Sequence, residues 1–570
     1  MEVAEPELPR LPEEVIQLIV SHTPPATKRL ARLANRAFCA AATPETFRHV
    51  QIGTYDYEAV KRVAERPHLS RHVRMVTCHH HGRSVVIDRG FLAALPSIRC
   101  FSALKVLILR FSRQRDFQHT RVFGNDMRYT LRHWIMFVLF SCILGDRVLE
   151  PNQSFGDRED DDFWLLGRMV SRLGITDERY WAFLRKESPR ICLEQLSITN
   201  VAIAGTEEFG EDSRVPLDHP FKESQQLSWR NLTTFRRFMS LPSLRKLNLM
   251  ISPDKEYILA EDNFTETASY GSRNNFPFVV NYLPAWLTPT LARNLTVLCL
   301  CHDEIWGYRP RFDFRCVNPG SGGDSGFPNL RVLSLVRYSF SHEWQIEWFA
   351  SLGNHGLQEL YLDECVLLSE THYHVVPSDV HVPDTRIQTD NGNEIVISNH
   401  GYLPYPWRDR HSWEHTTVFY RSNLKWRYFF DHWRTSMSSL RVFKMGSTTA
   451  HTIWSHAKMQ DFWLGDPPRP SAVPAVYAFV HMKKEMQDKF QDPAFRQEIG
   501  MRELKLPFYV IFKPNPGDSA MRDYRPWAFL PAGYDRITDS TGAHTSGNED
   551  IEALAMLRET VRQRAAGLLG

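Results

Sequence analysis

A chain of 570 residues, 43% hydrophobic and 24% charged, is long enough for more than one hydrophobic core and has the composition of a folded globular protein. A formal charge of only +2 supplies no global attraction to nucleic acid or to an anionic membrane surface. The nine cysteines are scattered and odd in number, too sparse for a disulfide scaffold, and read as reduced thiols. The opening MEVAEPELPRLPEE is acidic and proline-rich rather than signal-like. The longest apolar run, Trp134–Leu144, is shorter than the ~20 residues that cross a bilayer. These features predict a soluble protein of the cytoplasm or nucleus, with no membrane or nucleic-acid partner and no cofactor.

Residues 8–50 come first and predict a short all-α module. Pro12 suits a first helical turn, and Glu13 and Glu14 oppose the positive end of the helix dipole. Val15, Leu18 and Ile19 form an apolar stripe that Pro24–Pro25 end. A second helix is expected over about Thr27–Ala42, with Leu30, Leu33, Ala34, Ala37 and Phe38 on one face, closed by Thr43–Pro44. Phe47 and Val50 add a further apolar edge. Some 40 residues bury too little surface to be securely stable alone, so the module should dock on its own chain or on a partner.

From residue 51 to about 450 one phrase, L-x-x-L-x-L, recurs. It appears at Leu104/Leu107/Leu109, Leu193/Leu196/Ile198, Leu244/Leu247/Leu249, Leu295/Leu298/Leu300, Leu330/Leu333/Leu335 and Leu357/Leu360/Leu362. Weaker copies stand at Leu440/Phe443/Met445 and Val73/Val76/Cys78. The second and third apolar residues are two apart, as on one face of a strand, and the first lies where the chain turns into it. After Leu357 the phrase continues to Cys365 and Leu367, which completes the leucine-rich-repeat signature, and Ile305 and Phe340 take the same tenth position. Amphipathic stretches precede several strands: Leu232/Phe235/Phe238/Met239, Trp344/Trp348/Phe349/Leu352 and Trp426/Phe429/Phe430/Trp433. The fold class expected is therefore α/β, an irregular leucine-rich-repeat solenoid or horseshoe with helices outside and strands inside. The period is poor, 27 residues from Leu330 to Leu357 but 51 from Leu244 to Leu295. Inserted loops are expected at Gln114–Asn125, Pro151–Asp162, Ala204–Gln226, Asp254–Asn275, Arg309–Gly326 and Leu368–Trp413. Residues 451–570, with a strand near Leu504–Phe512 and a helix near Glu549–Leu569, are expected to cap the array.

LPEEVIQLIV, a spacer, and RLARLANRAFCAAATPETFRHV resemble the F-box, with Phe38 and Phe47 where tryptophans are common and without the usual apolar-Pro step in the spacer. Followed by PHLSRHVRMVTC and irregular leucine-rich repeats, the arrangement is similar to F-box proteins abundant in filamentous fungi. The resemblance implies a substrate receptor of a Skp–cullin–F-box ubiquitin ligase: the F-box binds a Skp-type adaptor, and through it a cullin–RING ligase, while the repeats hold a protein substrate of unknown identity. By residue it implies that Leu11, Pro12, Val15, Ile16, Ile19, Leu30, Leu33 and Phe38 build or support the adaptor contact. The competing reading is a binding scaffold whose N-terminal helices only seal the first repeat.

Catalytic patterns find little footing, and the chain is not expected to be an enzyme. GGDSGFP around Ser325 resembles a serine-protease nucleophile loop, and TTAH at His451 its histidine segment. Phe327 replaces a required glycine, however, and the histidine follows the serine. Cys78-His79-His80-His81 and Cys299-x-Cys301-His302 each lack the second half of a zinc site, and Cys299 and Cys301 fit strand alternation. His372, His374 and His381 are expected to be exposed loop residues. KWRYFFDHWR could stack on single-stranded nucleic acid, but its aromatics recur at helical spacing and are expected to pack beneath the next repeat.

Overall fold

A computed structural model describes residues 11–53, 57–80, 89–111, 126–147, 178–201, 233–251, 278–279, 283–319, 326–375, 382–388, 392, 394–402, 416–447, 502–503, 507–514, 524–531 and 546–569. Four of the expected insertions, Gln114–Asn125, Pro151–Asp162, Ala204–Gln226 and Asp254–Asn275, lie outside these residues. The protein is mixed α/β with a mostly parallel sheet. The chain divides into two compact units: 1–112 with 130–196 and 231–238, and 113–129 with 197–230 and 239–570.

The first unit opens with three helices, α1 (Glu13–His22), α2 (Pro25–Ala31) and α3 (Arg36–Phe47). The second and third replace the single helix expected over Thr27–Ala42. Asn35 is extended, and its side chain accepts from the Phe38 amide, so it starts a new helix where an unbroken one was expected. Pro44 does not close α3, which runs on to Phe47. The parallel strands β1 (His49–Gly53), β2 (Met75–His80) and β3 (Val106–Phe111) follow, with α4 (Tyr57–Ala64), α5 (Pro67–Ser70) and α6 (Arg89–Ala94) between them. Val50 pairs with Val76 and Val76 with Leu107; Ile52 pairs with Cys78 and Cys78 with Leu109. These six side chains are buried. Trp134–Leu144 belongs to helix α7 (Asp126–Leu144) and is buried at every position, as an all-round apolar helix must be. The Trp134 indole donates to the hydroxyl of Tyr180 in α8 (Glu178–Leu184), 3.1 Å away.

The remaining repeat phrases also become strands. The first two are β4 (Gln195–Val201), which crosses the boundary between the units in sequence, and β5 (Lys246–Ile251), entered from α9 (Thr233–Met239). In the second unit come α10 (Leu283–Trp286), α11 (Pro289–Asn294), β6 (Val297–Trp306), β7 (Val332–Phe340), α12 (Trp344–Asn354) and β8 (Glu359–Asp363). From β5 to β8 the strands pair in parallel and in one register: Leu247, Leu298, Leu333 and Leu360 form one row, and Leu249, Leu300, Leu335 and Leu362 the next. Cys365 is buried and donates to the Leu335 carbonyl of β7 at 3.4 Å.

Backbone hydrogen bonds explain the odd phase of the first leucine. Its amide closes a short turn onto a carbonyl three residues earlier, as in Leu104 to Phe101, Leu244 to Leu241, Leu330 to Phe327 and Leu440 to Met437. The next residue then turns its carbonyl to the following unit, where two consecutive amides share it. Arg245 receives Thr296 and Val297, Thr296 receives Arg331 and Val332, and Arg331 receives Gln358 and Glu359. In the first unit Arg74 receives Lys105 and Val106 in the same way.

Two further expected insertions carry ordered structure in their described parts. Within Arg309–Gly326, Phe312, Phe314 and Val317 are buried, Phe312 on Trp306 and Phe314 on Trp348, so this part of the loop belongs to the core. Leu368–Trp413 contains the continuation of β9 (Val366–Val375) and the hairpin β10 (Thr385–Gln388) and β11 (Glu394–Ile397). β7 pairs with β8 up to Val336 and with β9 at Ser339 and Phe340. Arg337 has φ 59° at this departure, and Glu364 has φ 52° where β8 gives way to β9. Their side chains form a buried ion pair at 2.7 Å, which holds both left-handed residues in place. β9 then pairs with β12 (Thr416–Arg421). Helix α13 (Trp426–Ser436) leads into β13 (Val442–Ser447), parallel to β8. Arg502–Glu503 (β14) pairs with β13, Phe508–Pro514 (β15) with β9, and Tyr524–Pro531 (β16) with β15. The last helix, α14 (Ser546–Ala565), packs on α13, and its Arg558 donates to the Met445 carbonyl of β13 at 3.1 Å.

Candidate functional site

The N-terminal helices present the most exposed apolar surface among the described residues. In α1, Ile16 and Val20 lie one turn apart and face inward, meeting Ala42 of α3, with Ala31, Phe38 and Ala41 packed against them. Helical geometry then forces Val15, Leu18 and Ile19 away from that core. The Pro12 carbonyl accepts from the Ile16 amide at 3.1 Å, and Leu11 and Pro12 are exposed at the start of the helix.

α2 is attached to α3 mainly by polar side chains. Lys28 pairs with Glu45 at 3.4 Å, and the Arg32 Nε donates to the Thr43 hydroxyl at 3.2 Å. The Arg32 guanidinium also sits 4.6 Å from the Phe47 ring centre. With its inward side committed to those bonds, α2 leaves Leu30 outward, and Leu33 follows in the turn after it. Leu33 keeps 82% of its surface in water and Leu30 67%.

Six of the eleven large hydrophobic side chains exposed among the described residues are Leu11, Val15, Leu18, Ile19, Leu30 and Leu33. Burying one such leucine is worth about 1.5–3 kcal/mol, so this module leaves unburied apolar surface that folding would otherwise hide. Of the residues singled out from the sequence, Leu11, Pro12, Val15, Ile19, Leu30 and Leu33 are on the surface. Ile16 is in the small core, and Phe38 is half-buried against it. Leu18 belongs to the exposed set although the resemblance had not placed it there. Its position, three residues after Val15, was the available signal.

The other candidates fare differently. Ser325 and His451 lie outside the described residues, as do His81 and His381. Cys78, Cys299 and Cys301 are buried on β2 and β6, as strand alternation predicted, and burial pushes the Cys78 thiol well above its ordinary range. Burial likewise raises the Cys142 thiol to about 11, despite the Arg99 Nε that donates to it at 3.3 Å, so it is not a reactive thiolate at neutral pH. His372 and His374 are not loop residues: they pair in β9 with Phe419 and Thr417 of β12, as the alternating T-H-Y-H-V run allows. Among the described residues no group of three or more His, Cys, Asp or Glu side chains could hold a metal ion. No described helix is long and apolar enough to cross a membrane. Four of the five aromatics of KWRYFFDHWR pack inward, with Phe340 5.2 Å from Trp426 and from Phe429 and Phe443 6.3 Å from Phe430, while Tyr428 stays exposed.

No known protein-family model matches the chain, and no curated protein resembles it significantly in sequence.

Proposed function

We propose that the chain is a non-catalytic substrate receptor of a Skp–cullin–F-box ubiquitin ligase. α1–α3 are the F-box that grips a Skp-type adaptor, and the repeat strands and their loops form a solenoid that holds a protein substrate. One observation carries the reading: six large apolar side chains stay in water on a three-helix module too small to leave them so without a partner. The register of the leucine rows and the shared carbonyls between units support the repeat half of it. The mechanism is proximity. The helices fix one end of the chain in the ligase, and the repeats raise the local concentration of substrate near the ubiquitin donor. Such a complex would work in the cytoplasm or nucleus.

The test is co-purification of the full chain with a Skp-type adaptor. The wild type should retain it in equal amount, and the double variant Leu18→Asp, Leu33→Asp should lose it while melting at an unchanged temperature. An adaptor that is absent, or retained by the double variant, rejects the ligase reading. The helices would then only cover the β1 edge, beside which α3 packs, and the chain would be a binding scaffold.

A further inference from the structure

The proposed function makes no use of a cluster at the carboxyl ends of β6 and β7, the end of a parallel sheet where ligands characteristically bind. Tyr308, Arg311 and Arg315 follow β6, His342 and Trp344 follow β7, and Tyr402 comes from the segment after β11. The His342 ring stacks on Tyr402 with centres 4.1 Å apart, and Tyr308 lies on Tyr402 at 6.2 Å. The Arg311 guanidinium is 5.3 Å from the Tyr402 ring centre, and that of Arg315 is 4.3 Å from Trp344.

Charge in this cluster is unbalanced. Buried Asp313 is committed to Arg315: its Oδ2 accepts from Nη2 at 2.6 Å, and its Oδ1 from the Arg315 amide at 2.9 Å. His342 adds no charge at neutral pH, since burial and the nearby Arg315, His400 and Arg311 lower its pKa to about 4. Its nitrogens meet the Ser341 hydroxyl at 2.7 Å and the His400 carbonyl at 3.1 Å. Among the described residues the Arg311 cation has no carboxylate paired with it. Its Nη1, the Tyr402 hydroxyl and the Trp344 Nε1 are all buried atoms without a hydrogen-bond partner among the described residues. Tyr402 itself is only 5% exposed. Each of these groups can donate a hydrogen bond, and leaving buried donors unpaired is costly. Arg311, Arg315, His342 and Trp344 are half-buried, so the edge of the cluster meets water while its three unpartnered atoms lie just beneath it.

We infer that this cluster binds the oxyanion, carboxylate or phosphate, of a small molecule, with Arg311 as the charge partner and Tyr402 as a second donor. A cation would be repelled by Arg311, and a neutral ligand would leave its charge unmatched.

Isothermal titration of the full chain with inorganic phosphate and with benzoate, at ionic strength matched with chloride, tests this. One of the two should bind at a single site; phosphate points to a phosphate-bearing ligand and benzoate to a carboxylate. Arg311→Gln should weaken that binding by about tenfold or more, whereas Arg386→Gln, at the exposed pair with Glu394, should leave it unchanged. Should the glutamine variant not fold, Arg311→Lys keeps the charge but not the fork and must still weaken binding. Tyr402→Phe should weaken binding several-fold while leaving the melting temperature of the ligand-free protein unchanged or higher, because the lost hydroxyl had no partner. The inference is overturned if neither anion binds, or if binding persists in the Arg311 variants (an adventitious ion only). A lowered melting temperature in Tyr402→Phe also overturns it, since the hydroxyl would then have a structural partner.

Discussion

Helices α1 and α13 are both short, and in both the apolar residues recur three and four positions apart, yet they end in opposite surroundings. In α13, Trp426, Phe429, Phe430 and Trp433 are fully buried under Phe340, Phe349 and Phe443, and α14 covers the helix further. In α1, only Ile16 and Val20 find a core, while Val15, Leu18 and Ile19 remain in water. Periodicity thus establishes that a helix has an apolar side but not what covers it. For α13 the cover comes from β7 and α12 before it in the same chain, from its own strand β13 and from α14; for α1 none is present among the described residues.

The contrast can be broken most forcefully at α13. Trp433→Ala should remove about 3–5 kcal/mol of stability in urea unfolding, the cost of truncating a buried aromatic among packed neighbours. A loss below about 1 kcal/mol would mean that the aromatic cluster is not the seal described.

A smaller effect is expected where α14 meets α13. Lys425 gives α13 no side-chain cap, and its first amides are satisfied from elsewhere: Trp426 donates to the Tyr509 hydroxyl at 3.2 Å and Arg427 to Asp550 at 2.8 Å. Asp550→Ala should therefore cost about 1–2 kcal/mol, as loss of a helix cap does. Burial raises the Asp550 carboxyl pKa above its ordinary value, so above about pH 4 the folded chain holds a proton that the unfolded chain has released. Its contribution is full below that pH and is lost as pH rises through the folded value. Asp550→Asn keeps the acceptor and should flatten the stability curve in that window; an unchanged curve would contradict it.

The smallest effect sharpens the other half of the comparison. Leu18→Ser and Leu33→Ser should each shift stability by no more than about 0.5 kcal/mol, because these side chains gain nothing from folding. A larger loss in either variant would place the face against its own chain and remove the reason for expecting a partner.

Much of the sheet was legible because its phrase is local. Each L-x-x-L-x-L with described coordinates became a strand with its apolar residues buried, down to the weak copy at Val73, Val76 and Cys78. A further signal went unused: an apolar residue three before the first leucine, as in F-S-A-L, L-P-S-L, F-P-N-L and M-S-S-L, forms the entrance turn. Helix boundaries in the N-terminal module were less legible. Asn35 lies within a run of good helix formers, and only its side-chain bond to the Phe38 amide shows that it is a cap. The pairings of β9 were beyond reach, since its partners β12 and β15 are distant in sequence and no local pattern names them. The same holds for the cluster around Tyr402, which joins three separate segments.

Because a single backbone carbonyl at the entrance of one unit serves two amides of the next, the union between neighbours depends on no particular side chain and on no fixed distance along the chain. Successive phrases stand 27 residues apart at Leu330 and Leu357 but 83 apart at Leu357 and Leu440, and the junction is the same. An interval of any length, even one holding a whole hairpin, can thus be inserted between two phrases while the frame stays intact.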